Sequence, residues 1–448
     1  MHRSKLFLGL ILTCVSAITA GHAANLVQVS EPGRRAVSPE IAVAPDGSIN
    51  LVWLDKGLTA DRPAPKKNRK PGEHSHRSAT DLYFSRSTDG GASWTPAVRV
   101  NTEANSVWGF AVSKPRIAVG ESGTIHVFFP ANEVSPTNGT DVVTARYTRS
   151  TDGGRSFEPA RTINQLPDVN RSELLGEGLT ATFSFGTMGM APDGSLVAAW
   201  QDIVEMQEEG AGADVYLAIS RDDGETWTEE LAAIETNAVC PCCQLTMHFN
   251  GPEMLLGYRK IYADGRDSTV ARALSAEQGI DGEARLPFAA WDIDGCPLKP
   301  TELATDGNWV FAAAYTAGEA EPGVYFSRSS DRGESFQGRL RVHPDAVYSD
   351  APEMTVGPDG RIRLVWQAKL DGPRRLFMAE SMDHGAAFSS PVELPTPAGN
   401  SYWPASAVAA DGTVYVTWQQ QNEEVYVLPL PAAEAAAMNQ RPAPTASN

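Results

Sequence analysis

Five times along the chain the sequence returns to one eight-residue turn. It reads STDGGASW at 87–94, STDGGRSF at 150–157, SRDDGETW at 220–227, SSDRGESF at 329–336 and SMDHGAAF at 381–388. Each copy follows an alternating apolar stretch such as DLYFSR (81–86) and precedes a short one such as AVRV (97–100). Ser and Asp side chains bond the amides of their own turn, and glycine accepts positive φ, so each copy predicts a hairpin turn. Asp89, Asp152, Asp222, Asp331 and Asp383 are the structural acids, and the closing aromatic is placed to fill the space between neighbouring sheets.

A second pattern interleaves with the first: an alternating strand, a turn with Asp-Gly in its clearest copies, and a strand ending on an aromatic. Clear copies are PEIAVAPDGSINLVW (39–53), PRIAVGESGTIHVFF (115–129), GTMGMAPDGSLVAAW (186–200), PEMTVGPDGRIRLVW (352–366) and PASAVAADGTVYVTW (404–418). Looser copies occupy 243–258 and 300–315, which makes seven. Alternation at period two marks strands, and four strands per unit, repeated, is the pattern of propeller blades rather than of a sandwich. The sequence therefore predicts an all-β, seven-bladed β-propeller over 24–431. The last unit lacks an outer strand, and NLVQVSEP (25–32) aligns with the outer strands of other units, so the N-terminal strand is expected to complete the last blade and close the ring. Residues 432–448, rich in Ala and Pro, are expected to be a disordered tail.

The S-x-D-x-G-x-x-W/F turns are similar to Asp-boxes, also called BNR repeats, and the chain resembles the sialidase-like propellers over nearly its whole length. Sialidases are six-bladed, so six blades stand as the alternative. That resemblance implies an exo-α-sialidase-like glycoside hydrolase, in which three arginines grip the substrate carboxylate, a Tyr–Glu pair supplies the nucleophile and an Asp serves as acid/base. Only Arg116, in KPRIA, fits an arginine at the start of an inner strand; the matching slots elsewhere hold Glu40, Thr187, Gln244, Thr301, Glu353 and Ala405. Tyr402 and Tyr348 precede inner strands and are candidate nucleophiles. Glu40 and Glu353 form a candidate carboxylate pair.

Cysteine use narrows the remaining possibilities. Cys240, Cys242 and Cys243 stand in AVCPCCQLTM just before one inner strand, and Cys296 stands in DGCPLK before the next. Adjacent units bring these loops together, so the four are expected to meet at the channel mouth. They fit a disulfide staple, a soft-metal site for copper or zinc, or a redox pair. Trp108, Phe110, Tyr348 and Trp403 enter inner strands and are candidate ligand-stacking rings. Residues 62–77, including His74 and His76, form a basic, proline-rich loop, and 204–214 an acidic one; both read as solvated. Residues 1–23 read as a cleaved signal peptide: a basic start, an apolar run containing Cys14 that is too short to span a membrane, then small residues. A formal charge of −18, two units more negative without Arg3 and Lys5, argues against nucleic acid. The leading expectation is a periplasmic or secreted protein that binds a carbohydrate or protein ligand at its mouth, beside a four-cysteine site; the alternative is a sialidase-superfamily hydrolase.

Overall fold

The computed structural model describes residues 26–61, 79–109, 113–134, 141–164, 182–203, 212–293 and 297–439. They form the antiparallel four-strand meanders of a β-propeller. The first meander runs Arg34–Val43, Ile49–Leu58, Ala79–Ser87, Val98–Arg99. The third runs Thr182–Met190, Leu196–Ile203, Ala213–Ser220, Leu231–Val239. The sixth runs Tyr348–Val356, Ile362–Lys369, Arg375–Ser381, Val392–Glu393. The remaining hairpins found in the sequence repeat the same pairing. In the sheet of Ser401–Val408 the outer strand is Val27–Gln28, paired antiparallel to Glu424–Leu430. Arg35 bonds Glu423 at 2.7 Å across that junction, and the amide of Ala36 donates to the Glu423 carbonyl.

The hairpin aromatics form the core. Trp53, Trp200, Trp366 and Trp418 are fully buried, and Phe129 and Tyr258 join them. Burying such a ring contributes about 1.5–3 kcal/mol. The turn aromatics link sheets: Phe157 meets Phe84, Trp227 meets Tyr147 and Phe388 meets Phe326 edge-on, with ring centres 4.9–5.3 Å apart. In each turn the Ser hydroxyl donates to the Asp carboxylate and accepts from a glycine amide, as at Ser150, Asp152 and Gly154. Hydroxyl and amide bonds from the residue four on, at Ser93, Ser156 and Thr226, lead in holding the carboxyls of Asp89, Asp152 and Asp222 down at about 2; Ser329 and Ser335 do the same for Asp331 against burial, and the Ala387 amide leads in lowering Asp383.

Gly154 shows why glycine stands there: its φ is +83°, and a Cβ would lie 2.0 Å from the Phe84 ring. Gly154→Ala is expected to destabilise by roughly 2–5 kcal/mol, left-handed strain plus overpacking. Gly194→Ala, at φ +86° facing open space, carries only the strain, about 1–2 kcal/mol. Urea midpoints at unchanged slope measure the gap, and equal shifts would remove the packing argument.

Two expectations meet a different structure. Ala432–Asn439, expected within a disordered tail, is a short helix (α1) with Ala435 buried against the last sheet. Trp108, expected at the mouth, is 3% exposed and packs edge-on against Phe185, because its short strand Val107–Trp108 pairs with the third strand of the first meander.

Candidate functional site

The inner strands share a local distortion that the sequence patterns did not reveal. Pairing slips between Val37 and Glu40, Ser184 and Thr187, Asp350 and Glu353, and Tyr402 and Ala405. At each slip one non-glycine residue takes a left-handed backbone: Ser38, Phe185, Ala351 and Trp403, with φ between 48° and 52°. Such bulges re-aim the side chains that follow them, and the strain of about 1–3 kcal/mol each persists only where neighbours enforce it. Gln367 accepts the Trp403 amide at 2.9 Å, and Ser113 accepts that of Phe185. Gln367 and Gln201 both follow a hairpin tryptophan and both reach the entry segment of the next unit. The repeated Trp-Gln dipeptide was the sequence signal for this brace.

The side chains meet in a cavity of about 20 Å³ lined by Lys114, Arg116, Gln244, Glu302, Glu353 and Trp403, among others. That volume holds one water. Lys114 donates from Nζ to Glu353 at 2.8 Å and to the Pro404 carbonyl at 2.7 Å, with Glu40 at 4.0 Å. Arg116 lies 3.4 Å from Glu40. Gln244 accepts the Lys114 amide and donates to the Lys114 and Gly186 carbonyls. The structure thus brings Arg116, Glu40 and Glu353 together with Lys114 and Glu302.

Alignment of the repeats puts Thr301 in this slot, and the structure puts Glu302 there. The fifth hairpin leaves two residues between Asp306 and Trp309, where the sixth leaves five between Val356 and Ile362, and that odd difference turns Thr301 into the sheet seam, where its hydroxyl donates to the Tyr258 carbonyl. Glu302 faces the cavity instead. Burial and the nearby Glu353 push its carboxyl well above the usual range. Glu353 is raised too, chiefly by burial, with Lys114 opposing. Three carboxylates share two cations here, an excess of negative charge that favours the neutral form of one of them, and among the described residues no hydrogen bond anchors Glu302 in the ionised form.

Beside the cavity lies an aromatic rim. Tyr348 donates to Asp350 at 2.6 Å, and Lys299 bonds both. Lys299 also lies over Tyr315, Tyr348 and Trp403. Arg374 sits over both Tyr348 and Tyr402, 5.0 and 5.1 Å from their ring centres. Burial and Asp350 raise the Tyr348 phenol, the wrong direction for a phenolate nucleophile. A three-arginine clamp is not formed among the described residues: Arg116 is engaged by Glu40 and the Leu245 carbonyl.

The three cysteines among the described residues are buried. Cys240, Cys242 and Cys243 are 0%, 8% and 0% exposed, members of a hydrophobic cluster with Leu245 and Tyr258. Cys240 and Cys243 carry free thiols 3.4 Å apart. The Cys243 S–H bond lowers Cys240 to about 6, with Arg266 assisting at 3.9 Å, while burial raises Cys243. Among the described residues no group of three or more His, Cys, Asp or Glu side chains is arranged to hold a metal ion. Phe110, Cys296, His74 and His76 lie outside the described residues.

No family model matches the chain, and no curated protein matches it. Solved structures do. A protein of unknown function from Dyadobacter fermentans is 16% identical, with 90% of this chain and 98% of that one covered and a TM-score of 0.48. A Hadza microbial sialidase is 13% identical over 91% and 95%, TM-score 0.47. The α-L-arabinofuranosidase of Fusarium graminearum is 13% identical over 71% and 93%, TM-score 0.45. At that distance the chemistry has to be read from this chain's own side chains.

Proposed function

We propose that the chain is an exported glycoside hydrolase of the propeller class acting on neutral glycosides. The observation that carries this reading is the axial cluster: Glu302 beside Glu353, Glu40, Lys114 and Arg116 around a water-sized cavity. Two carboxyls serve glycoside hydrolysis when one holds a proton for the leaving oxygen and the other is ionised. Glu302 is the proton donor, because burial favours its neutral form. Glu353, bonded to Lys114, is the ionised partner, and a water, for which the cavity has room, is the nucleophile it activates. Trp403 at the cavity and Tyr402 beside it offer the sugar a stacking edge.

The same reading makes the scaffold a seven-bladed ring, closed by Val27–Gln28 on the last blade. It takes the serine–aspartate turns as Asp-boxes and residues 1–23 as a cleaved leader. No helix among the described residues is long and apolar enough to cross a membrane. This reading also pairs Cys242 with Cys296 as a disulfide staple between the fourth and fifth blades and leaves Cys240 and Cys243 as free thiols.

A panel of fluorogenic aryl glycosides tests the proposal. Turnover of a neutral substrate, such as an α-L-arabinofuranoside or a hexoside, is expected, with none of a sialoside, whose carboxylate meets Glu40 and Glu353 without an arginine clamp. Hydrolysis of the sialoside alone, or of nothing on the panel, would overturn it.

A further inference from the structure

The paired thiols of the Cys240–Cys243 turn have no part in the axial chemistry. Their sulfurs lie 3.4 Å apart in a C-x-x-C turn that the Cys243 amide closes on the Cys240 carbonyl. Two arginines flank the pair. Arg266 bonds the Cys240 sulfur. Arg259 is fully buried, bonds the Tyr315 carbonyl through one nitrogen and leaves Nε and Nη1 without a partner. Asp267 meets part of the Arg259 charge, and a Cys240 thiolate adds counter-charge to a buried guanidinium with two nitrogens that make no hydrogen bond. A thiolate beside a second thiol and a cation is the arrangement of an exchange-active dithiol.

We infer that Cys240 and Cys243 form a redox-active dithiol that closes to an intramolecular disulfide by exchange with a small disulfide oxidant. The Cys240 thiolate attacks one sulfur of the oxidant RSSR, forming a mixed disulfide and releasing RS⁻. The Cys243 thiol gives its proton to that thiolate, and its sulfur attacks Cys240, forming the Cys240–Cys243 bond and expelling the second RS⁻, which takes a proton from water. Two cysteines lose two electrons in total, and one disulfide becomes two thiols. Because both sulfurs are buried, the oxidant enters by local opening. The preceding outer strand, Leu231–Val239, is the place for it: mostly exposed, and slipping twice in its pairing with Ala213–Ser220.

The test uses the folded full chain equilibrated with oxidised and reduced glutathione, quenched in acid, unfolded, alkylated and read by peptide mass spectrometry. A Cys240–Cys243 cross-link that reopens with reduced glutathione is expected. Cys243→Ser is expected to accumulate glutathione on Cys240, and Arg266→Gln to slow closure severalfold. Both thiols remaining alkylatable at a glutathione ratio that oxidises the unfolded chain would overturn the inference. So would a cross-link to Cys242 in place of Cys243, or an unchanged rate in Arg266→Gln. The wild-type measurement decides even if a variant fails to fold.

Discussion

Glu302→Gln is expected to lower turnover of an aryl glycoside with a poor leaving group by ~10²–10⁴-fold, the range for a lost general acid. With a dinitrophenyl leaving group, which departs without protonation, the loss is expected to shrink to a few-fold. The pH profile supplies a second readout. A donor acts while protonated, so wild-type activity falls as pH rises through the elevated Glu302 pKa, and the variant loses that alkaline limb. Stability moves the other way. A carboxyl whose folded pKa is raised opposes folding above its unfolded pKa, so a neutral isostere is expected to stabilise at neutral pH and do nothing in acid. A rate loss equal for both leaving groups, or an unfolded variant, would end the assignment.

Lys114→Met is the second large effect. Lys114 ties the axis together: its ammonium meets Glu353, Glu40 and the Pro404 carbonyl, and its amide meets Gln244. Removing one partner of a buried ion pair costs about 3–5 kcal/mol, because the other charge is left behind. With the cation gone, Glu353 binds a proton more readily, so the loss is fullest at neutral pH and fades as acid neutralises it. Denaturant unfolding at neutral and acid pH measures this. A penalty under ~1 kcal/mol that does not change with pH would show that Lys114 is solvated rather than structural.

The repeat was legible because its causes are local. Ser87, Asp89 and Gly91 satisfy one another within five residues, and the same spacing at Ser381, Asp383 and Gly385 gives the same bonds. The hairpin tryptophans could likewise be placed in the core from alternation, and Trp53, Trp200, Trp366 and Trp418 are there. Trp108 misled because an aromatic before a strand looks the same whether it faces a channel or a seam; its pairing to Ala79 decides.

By itself, then, the sequence determined the all-β repeat, its turns and its buried rings, and it pointed to Arg116, Glu40 and Glu353, since each follows from contacts within one unit. Tertiary structure alone decided that Lys114 and Glu302 join them and that Cys240 and Cys243 sink into the core. The reason is parity along a strand. A bulge, or a hairpin longer or shorter by an odd number of residues, sends the side chains beyond it to the other face, and the fifth hairpin, closed over two residues in place of five, presents Glu302 where alignment offered Thr301. Whether a bulge forms depends on braces from neighbouring units, such as Gln367 on Trp403, and those distances are not written in any one segment of the chain.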